Sequence, residues 1–465
     1  MKNFFAVAAG LLALCAPALA QTKGEGLIGK EPVAHSNHTD VKEYIITFQP
    51  NEAIPAGLEE YIRKLELQSV NEDTIVFIGT NNYTKVMILN LCSIDAETIK
   101  AQTETNIVEQ KAEIKSYASK SGAPWGLQRI SNEAGASGSP AGQDFTYSFE
   151  DESLGAGVDI YVIDTGVRTS HAVFTGRASQ GFSATGSTVD GDGHGTHVAG
   201  TAGGAKFGVA QGANIIAVKV LGDDGSGSSS DTIKGMDWVI SQHDKRKTQP
   251  GFVGSIMSMS WGLQGTANSV DEVIAGASAA GIHVSVAAGN EAVDACGSTP
   301  AHLGGANSNV VTVGSVNINN QVSSFSNVGK CVDIYAPGEQ ILSAWATGDT
   351  IINFLSGTSM ACPHTTGVMA YLMAKEPALG QNPAALKAKL LQTARQGKFT
   401  GNTGGSANLL LSNGVDGKIA KRLVKNYVVP DRNGSPAARA AAMMSGNIVI
   451  DERFQLHSRN SPLRF

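Results

Sequence analysis

Residues 157–164 read GVDIYVID, an almost unbroken apolar run that ends on an aspartate. A strand with one wet face alternates apolar and polar residues. A continuous run instead points to a strand buried on both faces, as in a parallel sheet covered by helices. The later runs NIIAVKVL, GSIMSMSW, IHVSVAAGN and VVTVGSV share the pattern. Between them lie small-residue segments with helical spacing: HGTHVAGTAGG, SDTIKGMDWVISQH, DEVIAGASAAG and MACPHTTGVMAYLMAK. This alternation predicts an α/β, doubly wound, mainly parallel sheet over residues 118–414, with any site at the carboxyl ends of its strands.

Upstream the texture changes. Residues 43–114 are charge-rich and glycine-poor, with strand-like EYIITF, TIVFIG, KVMILNL and IVEQKAEI and helical LEEYIRKLELQ and DAETIKAQTE. The order β-α-β-β-α-β predicts a small ferredoxin-like α+β unit. At the start, Lys2 precedes FFAVAAGLLALCAPALA, which ends in the small-x-small pattern of a cleaved secretory signal, placed at 1–20. Residues 415–465 form a basic tail of unassigned role. The net charge of −6 over 465 residues asks for neither nucleic acid nor an anionic membrane as partner. The signal implies an extracellular, secreted protein, vacuolar delivery being the other destination that begins in this way. Asn37, Asn82 and Asn433 head glycosylation sequons.

Four short motifs carry candidate chemistry. Asp164 ends a strand and precedes Thr165-Gly166, where it serves a site or merely opens a turn. His197 lies in DGHGTHVAGT, on a helix expected to begin near Gly195; His194 and His197 lack the glutamate and spacing of a helical zinc motif. Asn290 follows VSVAAG, as a turn residue or as an amide donor to a developing oxyanion. Ser359, in SGTSMACPH, stands where a helix N-terminus favours negative charge. Ala361 breaks the G-x-S-x-G elbow, so an esterase of the α/β-hydrolase type is not supported.

Together, D-T-G, H-G-T-H-V-A-G-T, A-A-G-N and G-T-S-M-A-C-P-H closely resemble the signatures of the subtilisin-type serine peptidases, in the order Asp, His, Ser. APWGLQRIS and FSNVGKCVDIYAPG resemble the proteinase K branch. The resemblance implies a secreted serine endopeptidase that hydrolyses protein and peptide substrates as a monomer, with no cofactor for its chemistry. In it Ser359 is nucleophile, His197 general base, Asp164 its partner and Asn290 the oxyanion donor. A catalytically silent homologue acting as a binding protein is the other reading; its mark would be loss of one of these residues.

The resemblance implies more detail. Gly225, Ser226 and Gly227, within an edge strand over DGSGSSS (224–230), and Ser260, Trp261, Gly262 and Leu263 would bind extended substrate. Leu263 stands where relatives carry glycine, beside the pocket for the P1 side chain. Cys296 and Cys331 would pair as a disulfide, closing a loop of about 35 residues. A structural calcium would sit on Asp333 with the carbonyls of Ser308 and Val310. The 43–114 unit would be an inhibitory prodomain within a propeptide spanning 21–117. Cleavage between Tyr117 and Ala118 would make Tyr117 the P1 residue and Ile114 the P4 residue, giving a preference for apolar or aromatic P1.

Overall fold

The computed structural model describes residues 40–49, 65, 67, 75–80, 85–111, 118–417, 426–428, 448–450 and 453–457, in two compact units divided after Ile114. The signal segment, the three sequons, Tyr117 and the predicted helix LEEYIRKLELQ, apart from Leu65 and Leu67, lie outside the described residues.

The first unit holds a four-stranded antiparallel sheet, ordered Ile75–Thr80, Lys85–Leu91, Lys42–Phe48, Thr105–Gln110. This is the strand order of a ferredoxin-like unit. The helix Ser93–Lys100 buries Ala96 and Ile99 against Ile46, Met87 and Leu89, the apolar positions of the two central strands.

The second unit is built on a nine-stranded sheet. Its order is Arg395–Gln396, Leu409–Leu410, Ile334–Pro337, Val311–Val316, His283–Ala287, Gly254–Met259, Val158–Asp164, Asn214–Lys219, Ala178–Ser183. All pairings are parallel except that of the short edge strand Arg395–Gln396. The five apolar runs read from the sequence are interior neighbours here. Every residue of Val158–Asp164, Gly254–Met259, His283–Ala287 and Val311–Val316 is buried, which explains why these strands do not alternate.

Helix Thr358–Lys375 packs on the strands Val311–Val316 and His283–Ala287 and on helix His194–Gly203. It is buried on all sides from Met360 to Met373, so it carries no polar stripe. Small residues permit this: a Cβ at Gly367 would lie 2.5 Å from Val209 and 2.8 Å from the Ala202 carbonyl.

Packing continues to Gly417, past the predicted boundary at 414. Val415 is buried, Arg395 donates to its carbonyl at 2.6 Å, and Gly417 N–H donates to Ser131 at 3.0 Å. Part of the tail also belongs to this unit. Gln455–Leu456 adds a parallel strand to Ile351–Leu355, and Phe454 is buried edge-on to Phe207 at 5.2 Å. Among the described residues, no helix is long and apolar enough to cross a membrane.

Candidate active site

Asp164 closes its strand fully buried, and its Oδ1 lies 2.8 Å from His194 Nδ1 while accepting the Thr165 N–H at 2.8 Å. The histidine that meets the predicted aspartate is thus His194, not His197. The helix begins at His194, one residue before the predicted start, because Gly193 turns the chain at φ 104°. A side chain at Gly193 would strike the Trp345 indole, and one at Gly195 would strike the Gly166 carbonyl. These two glycines let the first helical residue approach the end of the Asp164 strand.

His197 lies one helical turn deeper, about 4.5 Å along the axis. It is fully buried, and its Nε2 is 3.0 Å from the carbonyls of both Ile341 and Asn353. With Nε2–H donating to those carbonyls, its Nδ1 has no partner among the described residues. Burial pushes its pKa down to about 3, so this ring stays neutral and holds the helix to the Ile341–Ala344 and Ile351–Leu355 strands. The prediction for His197 is therefore corrected. Two histidines three residues apart look equivalent in sequence, and only the helix start separates them.

For His194, burial lowers the pKa, but the charge and hydrogen bond of Asp164, with Asp192 and Asp190 nearby, outweigh it and leave it raised. Asp190, which sequence reasoning missed, braces this corner. Its buried carboxylate accepts from Gly193 N–H at 2.8 Å, Thr196 N–H at 2.9 Å, the Thr196 hydroxyl and the Thr165 hydroxyl at 2.9 Å. Burial raises the Asp190 pKa against the opposing pull of these bonds.

Ser359 is the second residue of its helix, and its hydroxyl donates to the Ser260 carbonyl at 3.0 Å. Strands Gly254–Met259 and Val158–Asp164 are parallel neighbours in the register Ser258↔Val162. Ser260 directly follows the end of the first strand at Met259, so it lies at the same carboxyl end of the sheet as Asp164. Asn290 Oδ1 accepts the Thr358 N–H at 2.8 Å and the Thr358 hydroxyl at 2.9 Å. With Oδ1 so engaged, the amide nitrogen is left as donor, and it would lie 3.5 Å from a Cβ at Gly357. The Ser359 N–H belongs to the helix's first turn, where no intrahelical acceptor exists for it. A cleft of about 120 Å³ opens beside Ser359, lined by Ser260, Gly262, Leu263, Ala287, Gly289 and Asn290 among others.

The Subtilase family model matches residues 155–417. The chain is a subtilase. Subtilisin-like serine protease Pen ch 18 of Penicillium rubens is 41% identical over 332 residues, covering 68% of this chain and 65% of that protein. The cuticle-degrading serine protease of Arthrobotrys oligospora is 40% identical over 317 residues, covering 67% of this chain and 73% of that protein. A solved structure of a cold adapted subtilisin-like serine proteinase has a TM-score of 0.55 and 38% identity, covering 63% of this chain and 99% of that chain. The match to the Penicillium relative thus spans less than two thirds of its length.

In this subtilase the predicted edge strand over 224–230 is not a strand but a turn with one isolated bridge, followed by a helix start. Asp224 Oδ1 accepts the Ser226 N–H at 3.0 Å, Gly225 takes φ 79°, and Ser226 accepts from Gly222 at 2.7 Å, closing a turn. Gly227 bridges back to Leu221, and Ser228 caps helix Ser229–Arg246. Gly225–Ser226–Gly227 therefore forms an exposed hairpin tip, and Ser229 and Ser230 are helical. Trp261 Nε1 donates to Ile163 at 2.9 Å, and Leu263 pairs antiparallel with Thr299. Cys296 and Cys331 form the disulfide, with Cα atoms 5.4 Å apart. Cys362 is buried, and burial pushes its thiol pKa up.

The residues expected to hold calcium do not fit that ion as they stand. The carbonyls of Ser308 and Val310 and the Asp333 carboxylate converge instead on the ammonium of Lys387. Sequence reasoning missed Lys387, which lies far along the chain on helix Pro383–Thr393.

Proposed function

We propose that this subtilase is a secreted serine endopeptidase made as a self-processing zymogen, with Ser359, His194 and Asp164 as its catalytic residues. The observation that carries the reading is the 2.8 Å pairing of His194 with buried Asp164, at the strand ends where Ser359 heads its helix.

In the reaction, the Ser359 hydroxyl leaves the Ser260 carbonyl and turns to His194 Nε2. Its oxygen bonds the scissile carbonyl carbon as the proton passes to His194. Asp164 stays ionised, fixes the Nδ1–H tautomer and stabilises the imidazolium. The oxyanion accepts hydrogen bonds from Asn290 Nδ2 and Ser359 N–H. His194 returns the proton to the leaving amine as the C–N bond breaks. Water then attacks the acyl-enzyme through the same base, releasing the acid and restoring the hydroxyl.

Residues 43–114 act as the inhibitory prodomain, with the first cut between Tyr117 and Ala118. Supporting this, Ala118 opens a strand, Ala118–Ala123, that pairs with Phe145–Phe149, so the new amino terminus is anchored in a sheet. Ile114 and Tyr117 then report the enzyme's own preference, an aliphatic P4 and an apolar or aromatic P1, with the cleft lined by Gly262 and Leu263 receiving P1. The secreted enzyme acts on protein and peptide substrates as a monomer.

The test is processing. Active chain yields a mature protein starting at Ala118 and cuts peptides ending in Ile-Lys-Ser-Tyr faster than those ending in Ile-Lys-Ser-Asp, whereas the Ser359→Ala chain stays uncut. Normal processing of Ser359→Ala, or an amino terminus more than a few residues from Ala118, contradicts the zymogen reading.

A further inference from the structure

Lys387 Nζ lies 2.7 Å from the Gly305 carbonyl, 2.9 Å from Ser308, 2.7 Å from Val310 and 2.9 Å from Asp333 Oδ1. The lysine is 9% exposed and Asp333 is 6% exposed. The loop is shaped for this convergence. Gly305 takes φ +65°, where a side chain would meet the Lys330 carbonyl. Ser308 Oγ donates to Leu303 at 2.7 Å and accepts the Val310 N–H at 3.1 Å, which turns carbonyls 305, 308 and 310 inward. The carboxylate is held from behind by N–H groups of Gly305 at 3.1 Å and Thr312 at 2.9 Å. The Cys296–Cys331 disulfide ties down the chain just before Asp333.

Three carbonyls and a carboxylate facing one point form an oxygen cage that repels itself unless a cation fills it. An ammonium has only three N–H groups for these four oxygens, so it satisfies them by charge as well as by directed bonds. We propose that Lys387 is a tethered cation in a site otherwise built for a hard divalent metal, that it makes this part of the fold independent of calcium, and that removing its ammonium converts the cage into a calcium site. The tether explains why the cation needs no free ligand: the helix Pro383–Thr393 delivers it as the chain folds.

The experiment compares the full chain, Lys387→Met and Lys387→Met/Asp333→Asn, all in a Ser359→Ala background that prevents self-digestion. Melting temperatures are measured in chelator and in 10 mM calcium chloride. The parent melts at the same temperature in both. Lys387→Met melts lower in chelator and recovers by about 3–6 °C with calcium, as a site of about 0.1–1 mM affinity gives. The double variant recovers nothing. If Lys387→Met folds only when produced in calcium, the proposal stands. It is overturned if calcium shifts Lys387→Met no more than the parent, if the double variant recovers equally, or if Lys387→Met fails to fold even with calcium.

Discussion

Ser260 and Ser359 exchange two hydrogen bonds: Ser260 Oγ donates to the Ser359 carbonyl at 2.9 Å, and Ser359 Oγ donates to the Ser260 carbonyl at 3.0 Å. The first bond has a cause in sequence. The Ser359 carbonyl would normally accept from the N–H four residues on, but that residue is Pro363, inside the helix and without a donor. Ser260 supplies the missing hydrogen and, in doing so, ties the nucleophile's helix to the end of the strand that neighbours Val158–Asp164.

Ser260→Ala therefore destabilises the protein by about 1 kcal/mol, the cost of a half-buried carbonyl that loses its hydrogen-bond donor. Pro363→Ala restores a helical donor, so adding it to Ser260→Ala returns part of the loss, a coupling of about 1 kcal/mol in a double-mutant cycle. Thermal unfolding of the four proteins in the Ser359→Ala background measures it. Strictly additive effects would show that the two donors do not serve the same carbonyl.

The acid limb of activity reports His194. Its pKa is raised, so the neutral base appears only above the usual 6.5, and kcat/KM falls as pH drops through that higher value. For stability the sign is opposite to the activity trend. The Asp164–His194 attraction is fully present below the unfolded value near 6.5 and fades as pH rises through the raised folded value. Asp164→Asn removes the first-order attraction, moves the acid limb down and lowers kcat by about 10⁴-fold. A limb unmoved by Asp164→Asn would assign that titration elsewhere.

Acid unfolding has a different source. Burial pushes His197 to about 3, and His364 and His283 to about 4. A histidine depressed in the folded state contributes stability above its unfolded value, lost as pH falls from about 6.5 toward the folded value. The unfolding free energy should thus decline steadily from pH 6.5 to 4, and less steeply in His364→Gln. Equal slopes for the two proteins would contradict this.

The tail strand is locally anchored. Phe454 stacks on His171 at 6.4 Å and meets Phe207 edge-on, and the amides of Gln455 and His457 donate to Thr350 at 3.0 Å and Ile352 at 2.8 Å. Phe454→Ala should raise hydrogen exchange at Gln455 and His457 while leaving the central sheet protected. Exchange accelerated throughout the unit would mean that this strand is part of the global fold.

The apolar runs made the parallel sheet legible, because burial on both faces removes alternation in a way that sequence displays directly. Asp164, Asn290 and Ser359 stood out only together, through the motifs D-T-G, A-A-G-N and G-T-S-M-A-C-P-H that resemble the subtilisin-type signatures; by position alone each also reads as a turn or loop residue. His194 and His197 were not separable, since a one-residue shift of helix start decides which ring meets Asp164. Lys387 and Asp190 were invisible for another reason. A charged residue reads as solvated until long-range packing surrounds it with carbonyls or hydroxyls, and no local spacing announces that.

The most direct test is labelling by a fluorophosphonate, read by peptide mass. The expected result is an adduct on Ser359 in the processed protein, labelling slowed about 10³-fold or more by His194→Ala, and undiminished labelling of the folded fraction of His197→Gln, whose loss is one of stability. Normal labelling in His194→Ala, or a folded His197→Gln that does not label, would contradict it.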